Sequence, residues 1–196
     1  MPIQVRFMES ETANGQNEIL SRLNQEVIPI YDRFDPDFYA EHIMPVTAFS
    51  KLLANRTNRD PFIPNLSAAL HDIGLALTDP EMHHITGAEE SRRILSGLCC
   101  SAEIQERVSQ AILNHNCPFS SELSLDDELL RSADGMAHIA HVPYTFHSFL
   151  LRYSYEEAKK KTIQRLEEDL AEKITLPIAK TIIAPIYRDA LVFLND

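Results

Sequence analysis

The chain has 196 residues, 44% hydrophobic and 24% charged, which is the make-up of an ordinary globular protein of one domain. Its net charge of -11 and pI near 5.1 argue against a nucleic-acid polymer or an anionic membrane as main partner, because both would be repelled. With only 5 glycines, and neither GxGxxG nor GxxxxGK[ST] present, Rossmann and P-loop folds are poor readings, and the 8 histidines become the count to explain.

The first residues, MPIQVRFMESETANGQ, contain no apolar stretch and no cleavage signal, so export is not expected. From Asn17 to Ile30, apolar residues recur at Ile19, Leu20, Leu23, Val27 and Ile30, a helical stripe. Asp35-Pro36-Asp37 opens a second helix expected over Asp37–Asn55, with Pro45 as an unexpected interruption near His42. A third, strongly apolar helix is expected over Asn65–Leu77, between Pro61 and Pro64 on one side and Thr78-Asp79-Pro80 on the other. Thr86–Leu95, Ala102–Leu113 and Leu125–Ile139 each carry apolar residues three and four apart. Tyr144, Phe146, Phe149 and Tyr153 read as core packing over a pocket. Ser154–Ile174 has Glu156–Lys160 and Glu157–Lys161 pairs and a seam of Ile163, Leu166, Leu170 and Ile174; its Ser154–Glu172 face reads as solvated. A last helix starts at Pro177 and runs to Leu194, with too many charges for a membrane span. No period-two alternation and no repeat occurs. The expectation is a single all-α domain over residues 1–196. Cys99, Cys100 and Cys117 form no CxxC pair, and free thiols suit the cytoplasm.

The histidines fall into a pattern with carboxylates: Glu41-His42, Ala69-Leu70-His71-Asp72-Ile73-Gly74, His83-His84, Asn114-His115 and Ala133-Asp134-Gly135, followed by His138, His141 and His147. Imidazole with carboxylate suits Fe, Mn, Zn, Ni or Co. A His-Asp pair inside an apolar helix is costly unless it is paired or holds a metal. Gly74, Gly87 and Gly135 sit within four residues of these positions, which fits close backbone approach around a crowded site and fits helix caps nearly as well.

This order of residues resembles the HD-domain superfamily of metal-dependent phosphohydrolases, over a core of about residues 37–142 with a C-terminal helical extension over about 143–196. The resemblance implies a compact all-α helical bundle and metal ligands at His42, His71, Asp72 and Asp134. The extra histidines, His83 (favoured over His84) and His115, imply two divalent transition-metal ions, as in dinuclear members, with Asp72 bridging. His71 and Asp72 are then the catalytic pair. The implied activity is hydrolysis of a small anionic phosphorylated substrate, a nucleotide being one candidate, by a metal-bridging hydroxide. The same ligands also serve HD-type mixed-valence diiron oxygenases, and a regulatory ligand-sensing HD module is a third reading. His84, Arg92 and His138 are candidates for substrate contact. Arg93 is another cation nearby, and Glu41 is either a partner of a ligand imidazole or a surface carboxylate. Where many relatives carry HDIGK, this chain has Leu75 after Gly74, so one cation near the phosphate is missing.

Overall fold

The computed structural model describes residues 3–78, 80–116 and 122–195, and among them there are nine α-helices and no strand. Helix α1 (Ile3–Phe34) contains the stripe expected from Asn17 onward, with Leu23, Val27 and Tyr31 buried one turn apart. The Tyr31 hydroxyl donates to the Ala69 carbonyl at 3.1 Å, tying α1 to the end of the third helix.

The helix expected over Asp37–Asn55 forms in two parts. A single wide π-type turn, Tyr39–Ile43, precedes α2 (Met44–Arg56), and the Met44 N–H reaches back five residues to the Tyr39 carbonyl. Pro45 explains the break. It has no N–H to give the Glu41 carbonyl, and its ring would collide with that carbonyl in a regular helix. The wide turn relieves the clash and turns His42 inward.

Helix α3 (Phe62–Leu70) is buried at all nine positions, as a helix apolar all round must be. It starts earlier than expected and stops at Leu70 rather than Leu77. The backbone leaves the helix at Asp72 (φ -106, ψ 13) and enters a short 3-10 turn, Ile73–Ala76. The cause is a backbone crossing. A Cβ on Gly74 would strike the His83 carbonyl oxygen and lie 2.8 Å from the Gly87 nitrogen, at the start of α4 (His83–Gly97). Close approach, rather than capping, accounts for Gly74.

Next comes α5 (Ala102–Asn114), whose Ser101 cap accepts the Ile104 N–H at 3.4 Å. The following helix, α6 (Leu125–Ala140), is opened by a reciprocal capping box between Ser124 and Asp127. A helix not anticipated as such, α7 (Val142–Leu150), carries Tyr144, Phe146 and Phe149 half-buried, while Tyr153 beyond it is exposed under the Lys161 ammonium. Tyr144 and Phe146 pack against the core from its edge, as expected, whereas Tyr153 stays outside it. The extension continues as α8 (Tyr155–Glu168), a second π-type turn (Asp169–Lys173) and α9 (Pro177–Asn195). The charged Ser154–Glu172 stretch is not wholly solvated: Ala158, Thr162, Leu166, Asp169 and then Lys173 turn inward. Leu166, Ile174, Leu176, Ala179 and Ile183 join the same core as Leu66, Leu130 and Met136. Cys99 and Cys100 are free thiols, and Cys117 lies outside the described residues. No helix among the described residues is long and apolar enough to cross a membrane.

Candidate metal centre

The end of α3 delivers His71 and Asp72 to the middle of the bundle, where four other elements converge. His42 comes from the π-type turn before α2, His83 is the first residue of α4, His115 caps the end of α5, and Asp134 lies inside α6. All six are buried. Their ligand atoms fall into two groups, His42–His71–Asp134 and Asp72–His83–His115, and within each group these atoms lie within 4.8 Å of one another.

Asp72 joins the groups through its two oxygens. Oδ2 lies 3.2 Å from Nε2 of both His42 and His71, while Oδ1 lies 3.7 Å from His83 Nε2 and 3.6 Å from His115 Nε2. One carboxylate thus faces two imidazole pairs.

The imidazoles are oriented from behind. Nδ1 donates to the carbonyl three residues earlier in His71 (Ala68, 2.9 Å), His83 (Pro80, 2.5 Å) and His115 (Ile112, 2.6 Å). With Nδ1 committed outward, each ring turns its Nε2 inward toward Asp72. The two nitrogens of His83 and His115 then face each other at 3.4 Å, and His42 and His71 approach to 3.2 Å. Inward ring nitrogens this close together beside one carboxylate are the kind of donor set that holds a cation. Asp134 Oδ1 adds a buried oxygen that accepts no hydrogen bond, with His42, His138 and His71 nitrogens at 3.4, 3.6 and 3.8 Å. The residues present therefore fit divalent metal, by donor type and by the orphaned Asp134 oxygen.

Electrostatics agree with this geometry. Burial opposes charge on His71, yet Asp72 and Asp134 outweigh it and push its pKa up to about 9. Burial takes His115 down to about 4 and also lowers His42. Burial would raise Asp72, but the His71 charge and hydrogen bonds from His115, His42 and His71 hold it well below the usual carboxylate range.

The substrate candidates separate. His138 is in the centre: its ring stacks on His42 with centroids 5.0 Å apart, and Nδ1 lies 2.9 Å from Asp169 Oδ2. His84 stands beside His83 edge to face, outside both groups, with a buried Nδ1 that has no hydrogen-bond partner. Arg92 instead binds Glu106 at 3.0 Å on the surface, and Arg93 binds Glu90. Glu41 is also a surface group, 3.3 Å from His141 Nδ1. His147 is exposed.

Three neighbours of the centre escape a reading of the motif alone, because all come from the extension. Lys173 pairs with Asp134 Oδ2, Asp169 backs His138, and Arg165 holds Asp169 at 3.2 Å. Burial opposes ionisation of Asp134, but Lys173 and then His138, His71 and His42 hold its pKa well below the ordinary range. The one available signal was helical phase: Asp169 and Lys173 continue the inward stripe of Ala158, Thr162 and Leu166.

A helical bundle that brings four histidines and two aspartates to a buried double cluster defines a protein of the histidine–aspartate class, whose clusters could hold metal. The chain belongs to the HD domain family, whose match spans residues 39–139, just over half of its length and including all six of these residues. That family consists mostly of metal-dependent hydrolases, with some regulatory members. No curated protein and no solved structure matches the chain.

Proposed function

We propose that the protein is a dinuclear metal phosphohydrolase acting on a small anionic phosphorylated substrate in the cytoplasm. The observation that carries this reading is Asp72, whose two oxygens face two separate imidazole pairs. In this reading His42, His71 and Asp134 would hold one divalent ion and His83 and His115 the other, with Asp72 contributing a carboxylate oxygen to each. Two such ions would supply Lewis acidity toward a phosphoryl group and lower the pKa of a nearby water.

The chain's own residues do the rest. The carbonyls of Ala68, Pro80 and Ile112 fix the imidazole tautomers, so the centre is organised before substrate arrives. His138 lines the same space and is held by Asp169, which positions its Nε2 for a hydrogen bond to substrate. It has a partly exposed side chain, unlike the nearly buried Asp134 beside it.

Elemental analysis of natively purified protein, followed by a phosphate-release screen over nucleotides and phosphomonoesters without oxygen, tests the proposal. Near two equivalents of manganese, cobalt, nickel, zinc or iron with phosphate release is the expected result. Oxygen consumption with iron and no phosphate released would establish the diiron oxygenase in its place. Failure to retain any metal would favour a regulatory module.

A further inference from the structure

We propose that Lys173 is an internal cation that competes with metal for Asp134, making the His42–His71–Asp134 position the weaker of the two. The inference rests on the metal reading above and goes beyond the motif, since Lys173 lies outside the segment that matches the family.

Lys173 is buried, its side chain 9% exposed, and its ammonium contacts Asp134 Oδ2. Its place is imposed by a run of contacts in register with α6. The Gly135 Cα faces Ile174 so closely that a Cβ there would lie 2.9 Å from the Ile174 Cγ1, and the Leu176 N–H donates to Ser132 Oγ at 3.3 Å. The Arg131 guanidinium donates to the carbonyls of Glu172 (3.2 Å) and Asn114 (3.0 Å). Residues 172–176 are thereby clamped along 131–135, and the lysine cannot swing out without undocking the extension.

The two groups consequently differ in charge. Asp134 is already neutralised by a fixed ammonium. The ion pairs of Asp72 among the described residues are all with histidines. A divalent ion entering beside Asp134 gains a carboxylate whose charge is shared, and it is repelled by an ammonium bound to that same carboxylate. An ion at Asp72–His83–His115 meets neither cost to the same degree. The lysine also explains how a buried Asp134 is tolerated before metal binds, because an unpaired carboxylate there would be strongly destabilising.

Titration of the metal-free protein with Mn²⁺ by calorimetry, at fixed pH, reads this directly. Wild type is expected to show two steps of unequal affinity. Lys173→Met and Lys173→Gln should tighten the weaker step by about tenfold or more, while Lys173→Arg leaves it near wild type. Gln retains a donor without the charge, so it separates charge from hydrogen bonding and covers the case in which Met fails to fold. The neutral variants should also melt at a lower temperature without metal and gain more on adding Mn²⁺. Unchanged or weakened binding in both neutral variants would overturn the competition and make Lys173 a purely structural partner or an orienting one. If neither wild type nor variants bind Mn²⁺, Co²⁺ or Zn²⁺, the metal reading itself fails, and this inference with it.

Discussion

His71 is the ring whose protonated form the two aspartates favour. Its folded pKa near 9 lies above the ordinary histidine value of about 6.5. A raised pKa contributes stability that is fully present below about 6.5 and lost as pH rises through 9. His115, lowered to about 4, opposes this loss only at the low end of the window, where its unfolded form is still partly protonated. Metal-free protein should therefore lose on the order of 3 kcal/mol between pH 6.5 and 9 from this group. Melting temperatures in chelator across that range check it, and a flat or rising profile would contradict it. Metal must displace the same proton, so binding should tighten with pH over the window and release a proton detectable in buffers of different ionisation enthalpy. Asp72→Asn should abolish retention of metal at both groups and any metal-dependent activity, because one carboxylate serves both; retained metal in that variant would sink the assignment. Most of these residues were legible in the chain, since His42, His71-Asp72, His83, His115 and Asp134 recur in a family's order. The carbonyl partners of the imidazoles were not, because they depend on local helix geometry at Ala68, Pro80 and Ile112 that no residue type announces.

Helices were legible where an apolar stripe ran unbroken, as at Leu23, Val27 and Tyr31, and their ends were misread where Pro45 and the crossing at Gly74 bend the backbone. Two such places matter. At Tyr39–Ile43 the cause, Pro45, was visible, but the wide turn that answers it was not. At Asp72–Gly74 a continuous helix to Leu77 satisfied local periodicity, and only the crossing of α4 over Gly74 stops it. Tertiary contact overrode local preference there. Gly74→Ala should accordingly cost several kcal/mol, since the atoms it meets are backbone and cannot rotate away. Gly97→Ala is the natural control, having nothing within 4 Å of its added Cβ, and should be neutral or stabilising by up to about 1 kcal/mol. Denaturant midpoints of the two variants would show the contrast; equal midpoints would mean that the crossing at Gly74 is loose.

Across the whole molecule, the segment carrying the motif and the extension share one core. Leu166, Ile174, Leu176, Ile183 and Leu194 are all buried against it. At about 2 kcal/mol for each large aliphatic side chain, they account for roughly 10 kcal/mol of burial, comparable to the whole stability of a typical domain. A protein truncated after Val142 should thus lose cooperative thermal unfolding, and full-length protein should unfold in one transition. A truncated form that melts cooperatively near the wild-type temperature would show that the extension is dispensable. Sequence reading took the extension as a helical appendage with a solvated face. Its contribution to the centre depends on side chains such as Lys173 and Asp169, whose burial only the packed helix reveals.

The register between residues 131–135 and 172–176 also has a consequence in time. Lys173 is synthesised 39 residues after Asp134 (173 − 134), and 131 residues after His42 (173 − 42). A growing chain exposes every histidine and aspartate of the double cluster well before their counter-cation emerges. Since the core needs the extension, the cluster is completed only as the ammonium seats beside Asp134, and an ion entering the finished protein meets that charge.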